Sequence, residues 1–217
     1  GKYVPDIWGA IFDEAPIRMG FACVTGFMAG LETPQEIYEQ MSLSDLQQLY
    51  ADGHEVYSHS YSHPAFYSPT TTISETERQC RLSKQWLDSN GFSRTSDIIV
   101  YPGGLGETQT AKQDVVRQFY RYGIDTVGGG INPEPIANPL CIYRFNADTG
   151  TLDELKAKVD EAVASKKLLV FMNHAYQLHL NEETQVAKII SLIQYIQGKG
   201  ALIMPFGEAI HRIYGWN

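Results

Sequence analysis

Short apolar runs and helical stripes alternate along almost the whole chain. Residues 17–25, 54–58, 97–101, 124–127, 141–145, 168–173 and 201–204 are rich in Ile, Val, Leu, Phe and Tyr. Each predicts a buried strand. Apolar residues three and four apart predict helices over 5–15, 44–52, 110–122, 182–197 and 206–214. Two further helices carry start signals, Ser74-x-x-Glu77 before Leu82, Trp86 and Leu87, and Thr151-x-x-Glu154 before Leu155, Val159 and Val163. Gly53, Gly91 and Gly123 stand where helices should stop. Residues 128–139, with three Gly and three Pro, predict a loop.

Repeated strand–helix units with near-continuous apolar strands predict a parallel sheet covered by helices. Seven candidate strands favour a distorted (β/α) barrel of seven to eight strands over a doubly wound sheet. No G-x-G-x-x-G follows a strand, so dinucleotide binding has no support. The chain opens on a helix, whereas a parallel barrel opens on a strand. The expectation is one domain over residues 1–217, incomplete at its N-terminus, with the first strand missing. A chain of 217 residues can bury roughly 70% of its unfolded surface without disulfides.

Lys+Arg is 17 and Asp+Glu is 25, a formal net charge of −8. That deficit of cations disfavours nucleic acid as a partner. No apolar run reaches the ~18 residues that a membrane span needs, and no signal peptide is visible. Cys23, Cys80 and Cys141 are far apart, with no C-x-x-C, so they read as small buried residues rather than a disulfide framework or thiolate metal site.

Parallel barrels carry their chemistry at the C-terminal ends of strands. His59 and His63 follow the 54–58 run four residues apart. One turn of chain would aim both imidazoles at a single divalent cation such as Zn²⁺; two unrelated loop histidines is the competing reading. His174 follows the 168–173 run, placed as a general acid or base or as a satisfied rim histidine. Pro102-Gly103-Gly104 ends the 97–101 run, where free N–H groups could stabilise an oxyanion or simply make a turn. His54 reads as structural, His179 as a weak candidate and His211 as a surface residue.

Together these segments resemble the polysaccharide deacetylase family, the NodB-homology or carbohydrate esterase family 4 domain. The segment Gly53-His54-Glu55-Val56 with His59-Ser60-Tyr61-Ser62-His63-Pro64 is similar to the family's G-H-E-[IV]-x-x-H-[ST]-x-x-H-P motif. Tyr101-Pro102-Gly103-Gly104 resembles its third motif and Met172-Asn173-His174 its fifth. The resemblance implies metal-dependent removal of N- or O-acetyl groups from a glycan. His59 and His63 would hold the metal, usually zinc, with an Asp as third ligand and a second Asp as base. Gly103 would help hold the oxyanion, and His174 would protonate the leaving group. Tyr61, Tyr101 and Tyr176 are candidates to meet the sugar, as are Phe66 and Tyr67; core or rim packing is the competing reading for these aromatics. Family precedent implies a secreted, periplasmic or cell-surface protein.

The chain departs from the pattern in three places. The family's Asp-Asp-Gly motif is absent, and Gly1 is spaced from Val24-Thr25-Gly26 as the glycine of that motif would be. The expectation is a fragment beginning just after two aspartates, with weakly bound or absent metal and little activity. Asp6, Asp13 and Glu14 lie on the following helix and are not substitutes. The third motif has Val100 where the family has Arg. The acidic partner of the catalytic His falls in the region of Arg144 and Asp148. Two other readings stand beside the deacetylase: a non-catalytic carbohydrate-binding protein on the same barrel, and a small-molecule amidase of the same superfamily.

Overall fold

The computed structural model describes residues 8–31, 41–175, 177 and 182–215. A short helix α1 (Gly9–Glu14) leads into strand β1 (Gly20–Cys23), a single helical turn α2 (Thr25–Met28) and helix α3 (Leu43–Ala51). Strand β2 (Glu55–Ser58), helix α4 (Ile73–Ser89), strand β3 (Ile98–Val100), helix α5 (Thr110–Val116) and strand β4 (Tyr122–Asp125) continue the alternation. Strands β5 (Ile142–Tyr143) and β6 (Phe145–Asn146), helix α6 (Leu152–Ser165), strand β7 (Phe171–Met172), and helices α7 (Glu182–Gly198) and α8 (Phe206–Tyr214) complete it.

The fold is the α/β arrangement that the alternation predicts. Strands β1 to β5 form a five-stranded parallel sheet in chain order, and β6 pairs with β7 in a separate parallel pair. Strands β2 and β3 are buried at every position, as a sheet covered on both faces requires. Side chains alternate between the two faces. Ile98 and Val100 pack with Tyr57, Ile124, Ile142, Phe206 and Ile210. Ile99 and Tyr101 turn the other way, toward Phe66, Cys80, Val116, Tyr120 and Leu140. Gly123 is glycine because the Tyr101 ring crosses its Cα; an added Cβ would fall 2.1 Å from the Tyr101 hydroxyl.

Several predicted boundaries shift for identifiable reasons. Helix α4 is capped by Thr72, whose hydroxyl accepts from Glu75 N–H, and not by Ser74. Helix α6 has the predicted capping box on Thr151 and Glu154, but Val163 points outward and is exposed. The 141–145 run breaks at Arg144, because β5 joins the main sheet and β6 joins β7. Only Phe171–Met172 of the 168–173 run forms a ladder. Residues 201–204 form no strand. Between β1, 168–175 and 200–206 lies a cavity of about 1020 Å³, walled mostly by apolar side chains.

Candidate functional site

At the C-terminal ends of the strands the cavity is lined by His59, His63, Arg144 and His174. His59 and His63 sit on a loop that the local sequence braces heavily. Ser60 and His63 both have φ of +64°, a region that costs a non-glycine residue on the order of 1–3 kcal/mol. Hydrogen bonds hold the loop there. The Ser58 hydroxyl accepts from Ser60 N–H, and the Ser60 hydroxyl from His63 N–H. The side-chain carbonyl of buried Gln79, on α4, accepts from Tyr61 and Ser62 N–H at 2.9 and 2.8 Å. Its amide donates onward to the Ser62 hydroxyl and the Glu75 carboxylate. From the β1 side, Thr25 and Gly26 N–H donate to the Ser60 and Tyr61 carbonyls.

The two imidazole rings lie 4.8 Å apart between centroids. His59 Nδ1 is 2.6 Å from the Val100 carbonyl. A carbonyl only accepts, so Nδ1 carries the proton and Nε2 keeps its lone pair. That tautomer suits a metal ligand. Burial, then repulsion from His63, holds His59 down to about 3. Burial, then repulsion from His174, lowers His63. Both rings are therefore neutral near pH 7, as ligation requires.

Across the cavity, the Asp148 carboxylate accepts from His174 Nδ1 at 2.6 Å and from His174 N–H at 3.0 and 3.2 Å. Asp148 is buried while the imidazole is partly exposed. The β6–β7 pairing brings the two residues together, because each lies just beyond one of the paired strands. Lys188, on α7, donates to the carbonyls of Ala147, Asp148 and Gly150 and so pins the loop that carries Asp148.

The structure thus brings His59, His63 and His174 to one cavity. It does not bring the other candidates there. Tyr101 is fully buried, with its ring in the core behind β3 and its hydroxyl donating to the Leu140 carbonyl; it is a packing residue, out of reach of any sugar. Phe66 is buried in the same cluster. Gly103 is outside the cavity lining, exposed, with a φ of +68°. The Tyr67 ring covers the space that a Cβ would take. An oxyanion role for Gly103 is not supported by this placement. Tyr61 is half-buried on the histidine loop, with the Arg78 guanidinium 5.5 Å from its ring. Tyr176 and His179 lie outside the described residues. His54 is structural, as expected: its Nδ1 accepts from Met19 N–H and its ring packs on Phe12 and Phe21.

Glu55 of the Gly-His-Glu segment also has a structural task. It accepts from the Tyr57 hydroxyl and from Gly207 and Glu208 N–H, which caps α8. A divalent cation finds only part of a site here. Among the described residues no group of three or more His, Cys, Asp or Glu is placed to hold a metal, and zinc enzymes use three protein ligands. The described residues therefore do not complete the metal site that the resemblance implies.

Comparison with known proteins agrees with this fold. Residues 22–123 match the profile of the family described as polysaccharide deacetylase. Comparison with curated proteins returns no match. Among solved structures, the chitin deacetylase of the fungal pathogen Colletotrichum lindemuthianum superposes with a TM-score of 0.60 at 18% identity, covering 95% of this chain and 80% of that one. A probable polysaccharide deacetylase from Pseudomonas aeruginosa gives a TM-score of 0.63 at 14% identity, with 97% and 74% covered. Puue allantoinase gives 0.69 at 15% identity, with 97% and 72% covered. At these identities the likeness is one of fold.

Proposed function

Because residues 22–123 match the polysaccharide deacetylase profile, we propose that this chain is built to hydrolyse acetyl groups from an N- or O-acetylated glycan. The observation that carries this reading is the His59–His63 pair facing the Asp148–His174 pair across one cavity. His174 is the proton donor to the leaving amine or alkoxide. Asp148 fixes its Nδ1–H inward to the protein, which leaves Nε2 toward the cavity. Val100 does the same for His59. His59 and His63 are the protein's two imidazole ligands for a divalent cation, zinc by donor type, and a third ligand is needed to hold it firmly.

A second reading, hydrolysis of a small cyclic amide, draws on the superposition with an allantoinase. Acetate release from a panel of acetylated glycans, run beside allantoin hydrolysis, separates the two. Activity on a glycan that disappears in His174→Ala supports the deacetylase. Turnover of the small amide alone would replace it. No turnover of either, with zinc supplied, would leave the non-catalytic binding reading in its place.

A further inference from the structure

The cavity has a second charged end, to which the reading above gives no task. Lys166 and Lys167 precede β7, Arg18 precedes β1, and all three line the cavity. His174 follows the far end of β7, and His59 N–H donates to the Cys23 carbonyl at the far end of β1. These cations therefore stand at the opposite end of the space from the histidines. Between them the chain is bridged at Leu169 and paired with β6 at Phe171 and Met172. Extended chain from Lys167 to His174 spans roughly 20 Å.

Val163, Leu202 and Ile213 line the same cavity and yet are 40%, 75% and 44% exposed. Single exposed apolar side chains are ordinary, but several on one cavity wall mark a place where apolar matter docks. Lys199 and Arg212 also line the cavity. Asp160 answers Lys199, and Arg18 and Arg212 share Glu208. The lining carboxylate of Glu134 accepts from the Tyr214 hydroxyl. Among the described residues Lys166 and Lys167 have no ion-pair partner. A chain of net charge −8 thus gathers cations at this end and leaves two of them unanswered.

A space of about 1020 Å³ reaches the upper end of the roughly 300–1,000 Å³ of pockets that enclose small ligands. Its apolar walls suit a hydrocarbon tail, and free ammonium groups at its end suit an anionic head. We propose that the cavity binds a single-chain anionic amphiphile, with its tail along Phe21, Leu192 and Ile193 and its head at Lys166 and Lys167. The head is a carboxylate or a phosphate monoester. A long-chain alcohol would leave the lysines unanswered, and a short acid would leave the walls bare. This goes beyond the deacetylase reading and does not rest on it.

The test is calorimetric titration of the intact chain, with EDTA present so that no metal on the histidines holds the head. Laurate, dodecyl phosphate and dodecanol are compared below their micelle concentrations, and then the saturated acids from hexanoate to palmitate. Laurate or dodecyl phosphate should bind saturably, about fivefold or more tighter than dodecanol. High salt and Lys166→Gln/Lys167→Gln should each remove most of that preference; both lysines are exposed, so the variant keeps the fold. Affinity should rise roughly fourfold for each added CH₂ and level off once the tail fills the cavity. The tighter of laurate and dodecyl phosphate identifies the head. Equal binding of acid and alcohol, or an unchanged preference in the lysine variant, overturns the proposal. Binding that appears only as the near-ultraviolet circular dichroism is lost overturns it too. A chain that binds laurate but releases no acetate from any glycan loses only the deacetylase reading. A chain that releases acetate and ignores both amphiphiles loses only this one.

Discussion

Asp148 and His174 are 26 residues apart and share three short contacts. The His was legible in the sequence because it follows an apolar run at a strand's end. The Asp was visible only as one of two charged residues in a region, because nothing local marks it; the β6–β7 ladder selects it. Asp148→Asn keeps the shape but can present an amide N–H where Nδ1–H needs an acceptor, which favours the wrong imidazole tautomer. On the proposed reading, acetate release should fall by about 10²-fold or more with little change in melting temperature. A ¹⁵N spectrum should show His174 shifting from the Nδ1–H to the Nε2–H form. Unchanged turnover together with a shifted tautomer would remove His174 from the chemistry. Tyr101 failed as a substrate residue for a reason the sequence contained: it alternates with Val100, so one faces the cavity side and the other the helices.

At the scale of elements, the motif residues that are not ligands hold the pieces together. Glu55 joins β2 to α8 through three donors, one from Tyr57 and two at the helix N-terminus. Such a carboxylate satisfies N–H groups that the helix cannot satisfy itself and lies favourably in its dipole. Glu55→Ala should cost about 2–4 kcal/mol, read as a lower urea midpoint. Burial raises the Glu55 carboxyl despite those donors. The sign follows: the folded state holds this proton more tightly than the unfolded chain, so ionisation costs stability as pH rises from the ordinary Glu value through the raised one. Glu55→Gln removes that titration, so its stability deficit relative to the native protein should shrink between pH 4 and pH 7. A deficit that widens instead would show that the cap, not burial, dominates. Gln79 is the brace of the histidine loop. Gln79→Leu leaves Tyr61 and Ser62 N–H without acceptors and should cost roughly 2–3 kcal/mol, while loosening zinc binding at His59 and His63 in a competition titration. Neither Glu55 nor Gln79 could be given these tasks from sequence, because their partners lie 152 and 18 residues away.

For the whole molecule, the alternation of strands and helices was legible, and so were the parallel order and the end of the sheet that carries chemistry. The closure of the sheet was not. Seven runs predicted seven strands of one barrel, yet β1 to β5 form one sheet, β6 and β7 another, and residues 201–204 no ladder among the described residues. Apolar periodicity states which side chains are buried but not which backbone supplies the neighbouring hydrogen bonds. The consequence is a space of about 1020 Å³ lined by Phe21, Cys23, Met41, Leu192 and Ile193 among others, where a close-packed interior would hold voids little larger than a water. Apolar cavities of this kind take up apolar ligands. An anilinonaphthalene dye should therefore bind the chain saturably while its near-ultraviolet circular dichroism is intact, which separates a native cavity from a loosened core. Cys23 lines the space from β1, and Cys23→Leu adds apolar volume into it without disturbing a buried charge. The substitution should lower dye fluorescence and stabilise the chain by about 0.5–2 kcal/mol, a rise of a few degrees in melting temperature. A dye signal that appears only as the near-ultraviolet spectrum is lost would mean that the space is closed in solution. In that case the histidine pair would face a narrower site.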